Sequence, residues 1–351
     1  MNTPRVGIVA IGRNEGERLR RCLESTCGRG QPVVYVDSGS TDGSVGLARA
    51  RGAEVVELDP QVPFTASRAR NEGFERLVAV TPQIELVQFV DGDCELDAEW
   101  LPRAVAELAR RPELAIVCGR RRERAPEASI YNRLCDMEWD TPIGEDTDCG
   151  GDALVRARAF RELGGFDPAL IAGEEPDLCL RLRRRGWKIL RIDAEMTRHD
   201  AAMTRASQWW NRAVRTGHAA AEGLSRYGRS GEHDHARHVA SALFWSALSV
   251  ALLLAAAAAG SLGWLALAAW LPLCWIALLS VPFWRARRAR TLRGDRSAHA
   301  TLYGVSCVLG KLPEAVGVLQ YWRDRRIGRA RGWIEYKDQP ARNGSGTGAA
   351  Q

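Results

Sequence analysis

The chain has 351 residues and a formal charge of +6, from 49 lysines and arginines against 43 acids. A surplus this small, with no recognisable nucleic-acid module, fits arginines beside a membrane and excludes nucleic acid as the partner. Nine cysteines without one C-x-x-C pair exclude a disulfide scaffold and read as small buried side chains in a reducing compartment.

In chain order, the first element is a strand, Arg5 to Ile11, of strand length rather than the length of a signal peptide. Gly12-Arg13-Asn14-Glu15 follows, then an amphipathic helix from Glu17 to Ser25. A second strand, Val33 to Val36, ends at Asp37-Ser38-Gly39-Ser40-Thr41-Asp42-Gly43-Ser44. Strands alternating with helices predict parallel βαβ units, whose ligands bind at the carboxyl ends of the strands. Asp37, Asp91 and the loop after Ile11 then share one edge. A dinucleotide-binding domain would need G-x-G-x-x-G after the first strand, and Gly12-Arg13-Asn14-Glu15 does not supply it.

The segment Val87 to Glu95 carries the strongest chemical signal. An apolar run ends in Asp91-Gly92-Asp93, and a turn at the strand end lets the two carboxylates converge. Converging oxygens suit Mg²⁺ or Mn²⁺, which keep sites open for phosphate; a solvated loop or an N-cap is the bland alternative. Arg120-Arg121-Arg122-Glu123-Arg124 reads as a solvated face or a contact for diphosphate or anionic lipid. Asp140 to Asp152 is a loop rich in acids and glycine. Glu174-Glu175-Pro176-Asp177 opens a helix whose acids suit its dipole, and the chain turns at Gly186 into another strand.

Val239 to Trp284 holds no charged residue, enough for two spans of about 20 residues joined at Gly260-Ser261-Leu262-Gly263, or for a re-entrant hairpin. Arg226, Arg229 and Arg237 before it and Arg285, Arg287, Arg288, Arg290 and Arg293 after it predict that both ends face the cytoplasm. Leu312, Ala315, Val316, Leu319 and Trp322 recur at helical spacing, as in an interfacial helix or a face packed on the preceding domain. The expected division is a catalytic domain over 1–225, a linker over 226–238, the hairpin over 239–284, a basic segment with the interfacial helix over 285–337, and a disordered tail over 338–351.

Ile8 to Glu15, VDSGSTDGS (Val36 to Ser44), Ala69-Arg70-Asn71-Glu72-Gly73, FVDGDCE (Phe89 to Glu95), Gly164-Gly165-Phe166-Asp167 and Gly173 to Arg181 resemble, in this order, the motifs of the family 2 glycosyltransferases. The resemblance implies a GT-A fold, a mostly parallel α/β sheet flanked by helices and here followed by membrane helices. It also implies a nucleotide-sugar donor, a divalent metal, a hydroxyl acceptor and inversion at the anomeric carbon.

The resemblance puts Ile11, Asn14, Glu15, Asp37, Arg70, Asp91 and Gly92 on the donor. Asp37 would accept from the nucleobase, or else serve as an Asx-turn residue, and Arg70 would touch phosphate or base oxygens. Asp91 and Asp93 match the D-x-D pair on ribose and metal. His199, after a strand ending near Ile192, would join the metal or else lie in a loop at the domain edge. Glu175 aligns with the family's base; Glu-Asp is replaced by Glu174-Glu175, which leaves Glu174 and Asp177 as alternatives. Asp152, Gly151 and Trp187 fall on the acceptor side, with a core tryptophan as the other reading of Trp187.

The resulting expectation is a membrane-associated inverting glycosyltransferase, cytoplasmic at the inner or plasma membrane. Its acceptor would be a lipid-linked sugar, a polysaccharide intermediate or a lipid. A nucleotidyltransferase and a noncatalytic membrane scaffold are the alternatives.

Overall fold

The computed structural model describes residues 4–228 and 235–328. Its strands are β1 (Val6–Gly12), β2 (Val33–Asp37), β3 (Glu54–Glu57), β4 (Leu86–Asp91), β5 (Cys94–Leu96), β6 (Leu114–Glu123), β7 (Gly144–Asp146), β8 (Ala153–Arg156) and β9 (Lys188–His199). The helices are α1 (Glu17–Thr26), α2 (Ser44–Ala50), α3 (Ala66–Val80), α4 (Trp100–Arg110), α5 (Ile130–Trp139), α6 (Ala157–Glu162), α7 (Glu174–Arg184), α8 (Ala206–Tyr227), α9 (His235–Ser261), α10 (Leu265–Leu292), α11 (Ser297–Leu309) and α12 (Lys311–Arg326).

The strands form one mixed sheet in the order β3-β2-β1-β4-β8-β6-β9-β5, with β7 paired to β9. β3, β2, β1 and β4 run parallel, and their centres are continuous apolar runs because helices cover both faces. The register sets Gly12 beside Asp37 and Ile11 beside Asp91, so the loops after β1, β2 and β4 open on one edge, as expected. Helix α3 begins at Thr65, whose hydroxyl accepts from the Arg68 N–H at 3.1 Å, a cap worth about 1 kcal/mol. It faces Arg70 inward. Phe74, Phe89, Phe160 and Phe166 pack under this edge with ring centroids 4.7 to 5.6 Å apart.

Two expectations for the second half are corrected. The strand expected to end near Ile192 runs on to His199, because its far half pairs with both β5 and β6. His199 is therefore a strand terminus held on two sides and not a loop residue. The apolar segment gives α9 and α10 and is joined by a third candidate, since Ser297–Arg326 is also long and apolar enough to cross a membrane. Leu254, Leu265, Trp270 and Ile276 stand open on α9 and α10, a surface suited to lipid.

The stripe expected on one face of α12 is divided. Ala315 is buried with Pro313, Gly317 and Val318, while Leu312, Leu319 and Trp322 are exposed. The buried side lies on α8. A Cβ on Gly317 would come within 2.0 Å of the Val214 carbonyl oxygen, and one on Gly217 within 1.9 Å of that of Glu314, so two glycines let the helix backbones touch. At the other end Arg290 donates to the Met137 carbonyl at 2.9 Å and Arg293 to that of Asp140 at 2.7 Å. The apolar helices are thus fixed to α5 and α8 of the preceding domain. Arg329, Arg331 and the tail from Asp338 lie outside the described residues.

Candidate active site

At the carboxyl edge of the sheet lies a cavity of about 310 Å³. Ile11, Gly12, Asn14 and Glu15 line it from the first loop, Ser38 from the second, and Phe64, Thr65, Ala66 and Ala69 from the start of α3. Asn14 holds the first two loops together: its carboxamide oxygen accepts from the Thr41 N–H at 2.7 Å, and its own N–H donates to the Ser40 hydroxyl at 2.9 Å. Its φ of 53° is left-handed, a conformation asparagine tolerates. Asp37 takes the alternative role. Its carboxylate accepts from the Gly39 and Ser40 N–H groups at 3.0 and 2.7 Å and from the Tyr35 hydroxyl at 3.0 Å, an Asx-turn buried beneath the loop. Ser38, not Asp37, reaches the cavity wall.

Asp91, Gly92 and Asp93 enter from the end of β4. Asp93 Oδ2 stands 3.2 Å from His199 Nε2, and both side chains are buried. The other imidazole nitrogen, Nδ1, is 3.5 Å from Glu123 Oε2, and Glu123 is fixed in turn by the Ala201 N–H at 3.1 Å. Trp139 packs edge-on against the imidazole, 4.5 Å between centroids. Burial first, and then Arg121, hold the His199 pKa below its ordinary value, which favours the neutral ring that a metal ligand must be. Among the described residues Asp93, Cys94 and His199 present ligand atoms close enough to share one ion. Carboxylate oxygen with one imidazole, backed by a second carboxylate on the histidine, is a donor set that fits Mn²⁺ or Mg²⁺.

Helix α7 brings the acids of the opposite wall. Arg70 links the two sides: Nη2 donates to Asp91 Oδ1 at 2.9 Å, and Nη1 lies 3.0 Å from Glu174 Oε1 and 3.2 Å from Glu175 Oε1, over the Phe166 ring. The structure thus gives Arg70 carboxylates rather than an open phosphate-binding fork. Glu174 is buried, and its Oε2 has no partner among the described residues. Glu175 keeps 18% of its side chain open, and burial together with Glu174 pushes its pKa up to about 7 against the pull of Arg70. A carboxylate of that pKa, facing a cavity, can take a proton near neutral pH. Asp177 is withdrawn from the site, tied to Arg181 at 2.8 Å and to the Tyr227 hydroxyl.

The acceptor-side expectations divide as well. Gly151 lines the cavity, and a Cβ there would meet Arg70 Nη2 at 2.4 Å, Asp91 Oδ2 at 3.0 Å and Glu175 Oε1 at 3.1 Å. Only glycine leaves those side chains their places. Asp152 is fully buried: Oδ1 accepts from the Asp91 N–H at 2.9 Å and Oδ2 from the Thr197 hydroxyl at 2.7 Å. It positions Asp91 and makes no wall of the cavity. Trp187 lies at the opposite end of the sheet, where β9 begins, packed on the core beneath Arg158. It takes the core reading.

Trp139, Arg212 and Arg215 line the cavity without having been singled out, and Arg121 of the basic run lines it too. The basic run on β6 alternates as a strand does: Arg120 and Arg122 reach Asp193 and Glu195, while Arg121 turns in to Asp91 at 3.2 Å. That period was legible once a strand was assigned there. Arg212 and Arg215, three apart on α8, share a helix face, a spacing visible in the sequence but without a partner to orient it.

Residues 8–163 match the family model described as Glycosyl transferase family 2. Glycosyltransferase AglE of Haloferax volcanii is 30% identical over 201 residues, 53% of this chain and 64% of that protein. The pre-mycofactocin glycosyltransferase of Mycobacterium tuberculosis is 28% identical over 232 residues, 62% of this chain and 47% of its own length. The chain thus spans less than two thirds of either relative. Among solved structures, the mannosyltransferase PcManGT of Pyrobaculum calidifontis, in complex with GDP-Man and Mn²⁺, shares the fold at a TM-score of 0.61 and 20% identity, over 93% of this chain and 89% of that one.

Proposed function

We propose, for a chain that carries a family 2 glycosyltransferase domain on the GT-A fold, that it moves a sugar from a nucleotide-sugar to a hydroxyl acceptor with inversion at the anomeric carbon. The observation that carries this reading is the placement of Asp93 with His199 and of Glu175 on one cavity. The complex of the Pyrobaculum enzyme with GDP-Man and Mn²⁺ supports taking that cavity as a nucleotide-sugar and metal site.

Asp93 and His199 would hold the divalent cation, with Asp91 beside them; when bound, the ion supplies positive charge to the departing diphosphate. The loop residues Ile11, Asn14, Glu15 and Gly92 form the wall on which the nucleotide rests. Arg70 fixes the separation of the two acidic walls and pairs with both Glu174 and Glu175. Glu175 accepts the proton of the attacking hydroxyl through Oε1 or Oε2, and Glu174 at its side raises its basicity. The three apolar helices set the enzyme at a membrane. The arginines flanking the hairpin favour a catalytic domain in the cytoplasm, at the inner or plasma membrane, and a lipid-linked acceptor.

The test is the nucleotide released when the detergent-solubilised full chain is incubated with a panel of UDP- and GDP-sugars and Mn²⁺. Nucleoside diphosphate is expected, from transfer to a co-purified acceptor or from slow hydrolysis of the donor. Release of sugar 1-phosphate, with the nucleoside monophosphate transferred, would mean a nucleotidyltransferase, and no turnover of any donor, a scaffold.

A further inference from the structure

Helix α5 carries the support of His199 on one face. Asn132, Asp136 and Trp139 stand at i, i+4 and i+7, so they form one stripe along the helix. Asn132 Nδ2 donates to Glu123 Oε1 at 3.3 Å, Asp136 Oδ1 accepts from the Glu123 N–H at 3.1 Å, and Trp139 packs edge-on against the imidazole. Glu123 is the carboxylate behind His199. The same helix holds the chain beyond the histidine: the Ser129 hydroxyl donates to the Met203 carbonyl at 2.5 Å, and Asn132 Oδ1 accepts from the Met203 N–H at 3.0 Å. The seat of α5 therefore decides how His199 is aimed at Asp93.

The last turn of α5 is unfavourable by its own sequence. It holds Asp136 and Glu138, with Asp140 at the cap and no basic residue, so acids crowd the negative end of the helix dipole. Positive charge comes from elsewhere in the fold. Arg290 of α10 and Arg293 at its C-cap donate to the Met137 and Asp140 carbonyls at 2.9 and 2.7 Å, and Arg191 of β9 donates to that of Trp139 at 2.8 Å. These bonds satisfy carbonyls that the helix leaves open. Arg290 is only 4% exposed; Asp295 fixes its Nε at 2.5 Å, and its guanidinium lies over the Tyr303 ring of α11. A buried guanidinium is costly unless fixed partners meet it, so this contact tolerates little displacement. Neither Arg290 nor Arg293 lines the catalytic cavity, and both act on it through α5.

Resting on the reading of Asp93 and His199 as metal ligands, we propose that Arg290 and Arg293 are positioning residues for the metal site: α10 seats the end of α5, and α5 seats Glu123, Trp139 and His199. The affinity of the catalytic domain for its divalent cation is thereby set in part by a helix long and apolar enough to cross a membrane.

The test is Mn²⁺ titration of the full chain in neutral detergent, with and without UDP or GDP. Free Mn²⁺ is read from its electron paramagnetic resonance signal, and the titration of nucleotide alone is subtracted. Arg290→Met is expected to raise the Mn²⁺ Kd about tenfold and Arg293→Met roughly threefold, within the range by which residues away from a ligand shift its affinity. Arg290→Lys should recover part of the loss, since an ammonium still brings charge and a donor to the Met137 carbonyl. Ser246→Ala is the control for a role in stability alone. It removes the bond from Ser246 Oγ to the Lys311 carbonyl at 2.9 Å, which joins α9 to α12 without reaching α5, and should lower the melting temperature while Mn²⁺ affinity holds. Wild-type Mn²⁺ affinity in both arginine-to-methionine variants would overturn the proposal, as would an equal loss in Ser246→Ala. Should Arg290→Met fail to fold, wild-type affinity in Arg293→Met is enough to overturn it, because Arg293 is exposed and its replacement is tolerated. Wild-type protein that binds no Mn²⁺ under either condition fails the metal reading itself, a separate result.

Discussion

Asp93→Asn is expected to lower sugar transfer by about 10³-fold or more, since a lost metal ligand removes several kcal/mol of charge stabilisation from the leaving diphosphate and each 1.4 kcal/mol is tenfold. The exchange keeps the shape of the side chain but not its charge. Asparagine can still face His199 Nε2, 3.2 Å away in the wild type, so the fold should survive with a melting temperature close to wild type. Glu123→Gln is the milder companion. It leaves Asp93 and His199 in place and weakens only the carboxylate behind the imidazole, for which a loss of about 10- to 100-fold in metal affinity is expected. Titration of turnover with Mn²⁺ separates the two: excess metal should rescue Glu123→Gln and not Asp93→Asn. Full turnover of either the wild type in excess chelator or the Asp93 variant would sink the metal site.

Glu175→Gln should lower transfer by about 10² to 10⁴-fold while donor and metal binding hold, because the substituted group takes a proton in the reaction and is not a ligand. The pH profile gives the sign. Burial and Glu174 push the Glu175 pKa up to about 7, so the carboxylate that accepts the proton is present above that pH and is lost as pH falls through it. Wild-type turnover should therefore fall on the acid side of neutrality, and the residual activity of the variant should show no such limb. Glu174→Gln is expected to move the limb to lower pH, since it removes the negative neighbour that raises the pKa. Asp177→Asn should leave the profile unchanged, because that side chain faces Arg181 and Tyr227. A deeper kinetic defect in Asp177→Asn than in Glu175→Gln would reassign the base.

The catalytic half was legible wherever local pattern and geometry agree. The parallel strands ended where their apolar runs ended, and Asp91, Asp93, Glu174 and Glu175 came to one edge because strand ends and a helix start are set by short-range signals. What a side chain does once there depends on its neighbours across the sheet. Arg70 and Asp152 carry charges that a one-dimensional reading gave to ligands; in the fold they are spent on Asp91, Glu174 and Thr197. The resemblance offered Trp187 to the acceptor side, with the core as its other reading; Gly186 reverses the chain and sends β9 back from the far end of the sheet, leaving the tryptophan there and bringing His199 to the site. The third apolar stretch, α11 with α12, was hidden because Lys311 and Glu314 interrupt it and Arg323, Asp324, Arg325 and Arg326 crowd its end, so that no uncharged run of spanning length stands out in the sequence.

The central claim is a single displacement at the anomeric carbon, with the metal residues Asp93 and His199 on the leaving group and Glu175 on the nucleophile. It is tested most directly without knowing the acceptor, by letting water attack. Proton NMR of the first sugar released from an α-linked nucleotide-sugar, recorded before mutarotation, reads the stereochemistry of one turnover. The account predicts the β-anomer, dependent on Mn²⁺ and suppressed in Glu175→Gln. Release of the α-anomer would contradict it.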